Sequence, residues 1–142
     1  MVQRSGTARY DGLGKAGKGL VSTQSGVLKD ARYDFNTRFD NAPGTNPEEL
    51  IAAAHAACFT MALSFALGGA GFHDGTLDTR AVVTLDKDGD GFAVTRSALT
   101  LTASIPGISQ ADFDRIAAEA KAGCPISKLL KAEITLDATL EG

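Results

Sequence analysis

The sequence lacks two features: a cluster of basic residues, which nucleic-acid binding needs, and an apolar N-terminal run, which export needs. Its 142 residues carry 14 basic and 17 acidic side chains, a net charge of −3, and the basic residues form no cluster. Nucleic-acid binding requires a basic patch, so we expect no nucleic-acid partner. Residues 1–11 contain no apolar run of the kind that a secretory signal needs, and we therefore expect a cytoplasmic protein.

Cysteine is also scarce, because Cys58 and Cys124 are the only two in the chain. Their wide separation matches neither a C-x-x-C redox motif nor a zinc site with four protein ligands. In a reducing compartment a permanent structural disulfide is disfavoured, whereas a transient, catalytic one is allowed.

Charge is absent from residues 50–71, a stretch long enough to span a bilayer. The stretch is rich in alanine, contains His55, and follows Glu48 and Glu49 rather than a basic flank. We therefore expect a helix that is buried on most sides within the domain, and no membrane association.

Alternating side chains predict six strands, and capping signals predict two helices. The predicted strands are residues 6–10, 18–23, 32–39, 77–85, 92–104 and 132–140. The long helix begins at Asn46-Pro47, where Asn46 caps it and Glu49 completes a box-like cap, and it ends near Leu67. A second helix covers residues 109–122, and a short helical turn covers 124–130. This order predicts a single α+β domain, residues 1–142.

The acidic segment 86–91 resembles the first half of a calcium-binding loop. However, the twelfth position of that loop falls on Ser97, where calcium binding requires a bidentate glutamate. Asp and Gly are also the usual residues of a hairpin turn, and we interpret the segment as a turn without a metal.

Each cysteine has two interpretations. Cys58 lies near the middle of the long helix, where it is either a small buried residue or a reactive thiol. Cys124 directly precedes Pro125 at the start of a helical turn, where amide groups favour a thiolate, although a capping role explains it equally well.

Three further residues can act on a thiol. Arg38 and Glu48 are either an exposed ion pair or an activating pair, in which the guanidinium stabilises a thiolate and the carboxylate orients the guanidinium. His55 lies three residues before Cys58 on the same helix face. We expect a packed or interfacial histidine there, because the sequence shows no orienting acid for a Cys-His hydrolase and no fourth ligand for zinc.

Several segments together resemble one known family. They are GKGLVST (17–23), FNTRF (35–39), GTNPEELI (44–51), AAHAACF (53–59), KAGCPIS (121–127) and LKAEITL (130–136). They resemble the osmotically inducible protein C (OsmC) family, which is related to the organic hydroperoxide resistance proteins. The likeness covers nearly the whole chain.

The resemblance implies a thiol peroxidase that reduces organic hydroperoxides. Cys58 corresponds to the family's peroxidatic cysteine, Cys124 to the resolving cysteine, Arg38 to its arginine and Glu48 to its glutamate. The family forms an intertwined homodimer in which two β-sheets enclose long central helices. It uses no bound cofactor, and the resemblance implies a dithiol reductant such as a lipoyl group. The rival interpretation is a non-catalytic or metal-binding thiol domain.

Helix geometry adds a prediction about the dimer. Glu48 and Cys58 lie ten residues apart on one predicted helix, which separates them by ~15 Å along its axis. Two antiparallel copies of the helix, crossing at the alanines 52–54, would place Glu48 of one subunit level with Cys58 of the other. We therefore expect a composite site, with Arg38 joining Glu48 from the second subunit. Apolar residues around the sulfur, among them Phe39, Phe59 and Met61, are expected to receive an alkyl tail.

Overall fold

Strands and helices follow one another along the chain in the order expected for an α+β protein, with one additional helix. The strands are β1 (Gly6–Asp11), β2 (Lys18–Thr23), β3 (Ala31–Tyr33), β4 (Thr76–Asp88), β5 (Gly91–Ser104) and β6 (Glu133–Glu141). The helices are α1 (Phe35–Phe39), α2 (Pro47–Gly69), α3 (Gln110–Gly123) and α4 (Pro125–Leu129). The computed structural model describes residues 1–142, which divide into two units, Met1–Leu50 and Ile51–Gly142.

The first unit contains an antiparallel sheet in the order β1-β2-β3. The Tyr10 and Tyr33 rings lie 6.0 Å apart. Glycines make room for both rings, because a Cβ atom on Gly17 would collide with Tyr10 and one on Gly19 with Tyr33. The sheet therefore presents an aromatic surface beside the segment that follows β3.

That segment is a helix, and the predicted strand over residues 32–39 is wrong beyond Tyr33. Asp34 caps α1 reciprocally with Thr37: the Thr37 N–H donates to Asp34 Oδ1 at 3.0 Å, and the Asp34 N–H donates to Thr37 Oγ1 at 2.7 Å. Such a capping pair stabilises a helix start. Arg38 consequently lies in the last turn of a helix and not at the end of a strand.

The start of α2 matches the prediction in part. Asn46 accepts a hydrogen bond from the Glu49 N–H at 2.8 Å, as a helix cap should, and Pro47 occupies the first helical position. The predicted capping box does not form, because the Glu49 carboxylate accepts a hydrogen bond from the Thr45 hydroxyl at 2.7 Å and not from the Asn46 N–H.

The prediction that the long helix is buried on most sides is wrong for the single chain. Only 22% of its most apolar 18-residue window is buried, although the mean hydropathy of that window is 1.9. The buried residues of α2 are His55, Phe59, Leu63 and Leu67. A second face is exposed and almost wholly apolar, with Met61 63% and Phe65 75% exposed. By length and composition, α2 is the one helix in the structure that could cross a membrane.

The second unit contains a sheet in the order β4-β5-β6. The β4–β5 hairpin is antiparallel and turns at Gly89-Asp90, where the acidic segment was interpreted as a turn, and β6 joins β5 in parallel. Along β5, burial alternates from Ser97 through Leu99 and Leu101 to Ala103, so these four side chains share the inner face.

The core of this unit combines α2, β5 and α3. Its fully or almost fully buried members are Phe59, Leu63, Leu67, Leu99, Leu101, Ala103, Ile105, Phe113, Ile116, Ala117, Ala120 and Cys124. Burial of each Leu or Phe in such a cluster contributes about 1.5–3 kcal/mol. Cys124 ends α3 and begins α4, because Pro125 cannot continue the hydrogen bonding of α3. The core thereby fixes Cys124 against α2.

Candidate active site

The two cysteines are neighbours in the second unit. The Sγ atoms of Cys58 on α2 and Cys124 at the α3–α4 junction lie 2.8 Å apart and share a hydrogen bond, and both thiols are free. A disulfide bond is ~2.05 Å long. The two sulfurs therefore lie within about 1 Å of the length of a disulfide bond.

The two thiols differ in exposure and in acidity. Cys58 is partly exposed, whereas Cys124 is completely buried. Burial raises the pKa of Cys58, and the hydrogen bond with Cys124 raises it further. For Cys124, burial opposes ionisation. It is outweighed by the interaction with the Cys58 sulfur and by the polar groups of the following turn, so the pKa of Cys124 is lowered. Within one chain, only Cys58 is accessible to a substrate, but its thiolate is not favoured.

The other two predicted site residues meet in the first unit. Arg38 Nε donates to Glu48 Oε1 at 2.6 Å, and Arg38 Nη2 donates to Glu48 Oε2 at 3.3 Å. A bidentate pair of this kind fixes the plane of the guanidinium. The Glu48 side chain is 12% exposed and that of Arg38 is 39% exposed. The carboxylate is therefore mostly covered, whereas part of the guanidinium faces solvent.

An aromatic cavity of about 180 Å³ adjoins Arg38 within the first unit. The aromatic residues in its wall are Tyr10, Tyr33, Phe35 and Phe39. The Arg38 guanidinium also lies 5.5 Å from the centre of the Phe39 ring. A cation beside apolar walls suits a molecule with a polar head and an organic tail. Phe59, which we predicted as a further part of the apolar lining, instead lies in the core and is fully buried.

His55 is a packed histidine, as predicted. It is completely buried, and both ring nitrogens contact hydroxyl groups: Nδ1 lies 2.6 Å from Ser97 Oγ, and Nε2 lies 2.8 Å from Ser127 Oγ. Burial lowers the pKa of His55, which favours the neutral ring. Because both nitrogens are occupied, His55 is not available as a metal ligand or as a base for Cys58.

The sequence interpretation missed Ser97 and Ser127. Ser127 follows Cys124 by three positions, a spacing that places side chains on one face of a helical turn, so its place near that cysteine was recognisable in principle. Ser97 gave no such signal, because its approach to His55 depends on how β5 packs against α2.

Comparison with known proteins agrees with this architecture. The OsmC-like protein family matches residues 39–139. The chain is 56% identical over 140 residues to peroxiredoxin OsmC of Escherichia coli, covering 99% of this chain and 98% of that protein. It is 26% identical over 124 residues to organic hydroperoxide resistance protein OhrB of Bacillus subtilis, covering 87% and 89% of the two chains.

Solved structures show the same fold. The crystal structure of OhrB from Bacillus subtilis aligns with a TM-score of 0.69 at 28% identity, over 99% of this chain and 98% of that one. An organic hydroperoxide resistance protein from Elizabethkingia anophelis aligns with a TM-score of 0.77 at 24% identity, over 99% and 98%. With the family match and the 56% identity, these findings establish that the chain belongs to the OsmC family.

Proposed function

We propose that this protein is a thiol-dependent peroxidase that reduces organic hydroperoxides to alcohols, with Cys58 as the attacking thiolate and Cys124 as the resolving thiol. The 2.8 Å separation of the two sulfurs carries the proposal, because it allows a transient disulfide without refolding. The names of the relatives, peroxiredoxin and organic hydroperoxide resistance protein, support the reaction and the substrate class.

The exposure of the two cysteines supports this division of roles. A hydroperoxide can reach the partly exposed Cys58 but not the completely buried Cys124. The Cys58 thiolate attacks a peroxide oxygen, the O–O bond breaks, and the alkoxide takes up a proton and leaves as an alcohol. Cys58 then carries a sulfenic acid, which condenses with Cys124 to a disulfide and releases water. A dithiol, which we propose to be of the lipoyl type, then reduces the disulfide by exchange.

The attack requires a cation near Cys58, since burial alone raises the pKa of that thiol. The Arg38–Glu48 pair offers a guanidinium whose plane the carboxylate fixes. Within α2, however, Glu48 is ~15 Å along the helix axis from Cys58. We infer that the pair acts on Cys58 of a second subunit.

The exposed apolar face of α2 supports an obligate homodimer. Its central residues, Ala53, Ala54 and Ala57, are small enough to allow two helices to approach closely. Covering this face with a second copy would remove Met61 and Phe65 from water. We further propose that the chain is one domain, since the family match crosses from the first unit into the second, and that it works in the reducing cytoplasm, where a dithiol can regenerate it.

The composite site leads to a complementation experiment. Homodimers of Glu48→Ala and of Cys58→Ser are each expected to be inactive or poor, because every site lacks one component. A heterodimer of the two variants should regain one intact site and about half of the wild-type activity per dimer. Activity is measured on heterodimers purified with two different tags. No recovery in verified heterodimers would show that the two residues do not act across subunits.

The cavity beside Arg38 predicts a preference for organic hydroperoxides over hydrogen peroxide. An alkyl or aryl tail can be buried at ~25 cal/mol per Å², a contribution that hydrogen peroxide lacks. For ~100 Å² of tail this amounts to about 2.5 kcal/mol, or roughly 50- to 100-fold in catalytic efficiency. Comparing cumene hydroperoxide with hydrogen peroxide tests this, and equal efficiency would contradict it.

The proposed function is tested by a thiol count. The reduced protein is treated with one equivalent of an alkyl hydroperoxide per chain, and free thiols are counted under denaturing conditions. Both thiols should disappear, and peptide mapping should find one Cys58–Cys124 disulfide within a chain. Unchanged thiols would favour a non-catalytic thiol domain, and zinc that co-purifies with the protein would favour a metal-binding one.

A further inference from the structure

Helix α2 meets the turn that carries Cys124 at two points. The first is the contact between the Cys58 and Cys124 sulfurs, which lie 2.8 Å apart. The second lies one helical turn earlier on α2, where His55 Nε2 is 2.8 Å from the hydroxyl oxygen of Ser127 in α4. This second contact contains no reacting atom, and the attack on peroxide does not use it.

The position of Cys124 depends on α4 as well as on α3. Its N–H donates to the Ala120 carbonyl in α3 at 3.0 Å, and its own carbonyl accepts from the Lys128 N–H in α4 at 3.1 Å. With five residues, α4 is too short to be stable by itself. Ile126 packs against the core, and Ser127 supplies the buried polar side chain of α4. A displacement of α4 therefore displaces Cys124 too.

The contact between His55 and Ser127 is well suited to resist such a displacement. His55 is completely buried, Ser127 is buried as well, and no buried side-chain nitrogen or oxygen atom lacks a hydrogen-bond partner. The other ring nitrogen, Nδ1, is satisfied separately by Ser97 Oγ of β5 at 2.6 Å. Pulling Ser127 away would leave a buried polar group unpaired, which costs more than the hydrogen bond itself contributes.

Oxidation of Cys58 alters the first contact and spares the second. In the reduced protein, Cys124 Sγ donates a hydrogen bond to Cys58 Sγ. The sulfenic acid adds an oxygen to the Cys58 sulfur, beside a second sulfur only 2.8 Å away, so that contact cannot stay as it was. His55 and Ser127 undergo no chemical change in this step, and their hydrogen bond can persist.

We propose that His55 is a positioning residue that, through Ser127, holds the Cys124 turn against α2 while Cys58 is a sulfenic acid. The proposal rests on the resolving role of Cys124 given above. It assigns to the buried histidine a part in the resolving step and none in the attack on peroxide.

Two reactions compete for the sulfenic acid. In resolution, the Cys124 sulfur attacks the Cys58 sulfur, the S–S bond forms as the S–O bond breaks, and the hydroxide leaves as water with the proton that Cys124 gives up. In over-oxidation, a second hydroperoxide transfers an oxygen atom to the Cys58 sulfur as its O–O bond breaks, which yields a sulfinic acid and an alcohol. Holding Cys124 close to Cys58 favours resolution, because that reaction is then effectively unimolecular.

The test is the partition between these two products in Ser127→Ala. Reduced protein is treated with increasing cumene hydroperoxide without a dithiol, and mass spectrometry gives the ratio of Cys58 sulfinic acid to Cys58–Cys124 disulfide. After the first oxidation only over-oxidation consumes hydroperoxide, so the slope of this ratio against hydroperoxide concentration is inversely proportional to the rate of resolution. We expect the slope to rise about three- to tenfold, the effect of losing one hydrogen bond.

The matched control is Ser97→Ala. It removes a buried hydroxyl from the other nitrogen of the same ring without touching α4, so it should lower the free energy of unfolding to a similar extent and keep the wild-type slope. Ser127→Thr keeps the hydroxyl and should restore the wild-type slope. In the Cys124→Ser background, where resolution is impossible, Ser127→Ala should leave the rate of over-oxidation unchanged.

Two replacements of His55 separate the roles of its nitrogens. The glutamine amide stands as many bonds from the backbone as Nε2 and can reach Ser127, whereas the shorter asparagine amide corresponds to Nδ1 and can reach Ser97. We expect a slope close to wild type in His55→Gln and a raised slope in His55→Asn. This pair decides the matter if Ser127→Ala does not fold.

A wild-type slope in folded Ser127→Ala would overturn the proposal. An equal rise in Ser97→Ala would also overturn it, because that result indicates a general loosening of the core, and so would faster over-oxidation in the Cys124→Ser background. The proposed function is judged separately, on wild type: if wild type forms no Cys58–Cys124 disulfide, the peroxidase mechanism itself fails.

Discussion

Replacing Cys58 with serine is expected to abolish hydroperoxide reduction. The serine hydroxyl is not appreciably ionised at neutral pH and cannot form a sulfenic acid, so the first step is lost completely. Turnover is measured as consumption of cumene hydroperoxide in the presence of a dithiol, with the uncatalysed reaction subtracted. Any residual turnover by Cys58→Ser above that background would assign the attack to another group.

Cys124→Ser provides the matched comparison, because it makes the same replacement of sulfur by oxygen in the other cysteine. It should consume one equivalent of hydroperoxide per chain and then stall as the sulfenic acid, or become over-oxidised. Its oxidation should remain fast, since Cys58 and its surroundings are kept. Normal turnover of Cys124→Ser with a dithiol would show that Cys124 is not the resolving thiol.

Replacing Arg38 with alanine is expected to give the second-largest loss. Burial raises the pKa of Cys58, and we propose that the Arg38 guanidinium offsets that effect in the dimer. Without it, the pKa of Cys58 should be higher and oxidation at neutral pH slower, by at least about tenfold. Thiolate absorbance is titrated against pH in the Cys124→Ser background, which isolates Cys58.

Two arginine variants make this test specific. Arg38→Lys keeps the positive charge but loses the two-pronged contact with Glu48, so an intermediate effect is expected. Arg115→Ala removes an exposed arginine on α3 whose partners are Asp112 and Glu119, and it should change neither the titration nor the rate. An unshifted titration curve in Arg38→Ala would show that this arginine does not act on the sulfur.

Most elements of the fold were predictable because their signals are local. β2 spans residues 18–23 as predicted, and Asn46 caps α2. The failure over residues 32–39 has a definite cause. Phe35 and Phe39 are compatible with an alternating strand, but they are also one helical turn apart. The centres of their rings lie 5.0 Å apart. The reciprocal bonds between Asp34 and Thr37 decide in favour of the helix.

The candidate site was predictable to a smaller extent. Nothing local brings Cys58 to Cys124, which lie on different elements, and only the family resemblance linked them before their sulfurs were found 2.8 Å apart. The hydrogen bonds of His55 depend on the tertiary placement of α2, β5 and α4, so the residue type alone suggested burial but not its partners.

The exposure of α2 shows a second limit of prediction from the sequence. An uncharged, alanine-rich sequence predicts burial, but it does not say whether the same chain or another covers the helix. In the single chain one face meets the core through Phe59 and Leu63, while Met61 and Phe65 remain exposed. This remaining apolar surface is the feature that the proposed homodimer explains.

The central claim is that peroxide oxidises Cys58 and not Cys124, and trapping the first oxidation product tests it most directly. Cys124→Ser and Cys58→Ser are each treated with one equivalent of cumene hydroperoxide in the presence of dimedone, which reacts with sulfenic acids, and the adduct is located by peptide mass spectrometry. The account predicts near-stoichiometric adduct on Cys58 in Cys124→Ser and none on Cys124 in Cys58→Ser. Adduct on Cys124, or an unmodified Cys58, would contradict it.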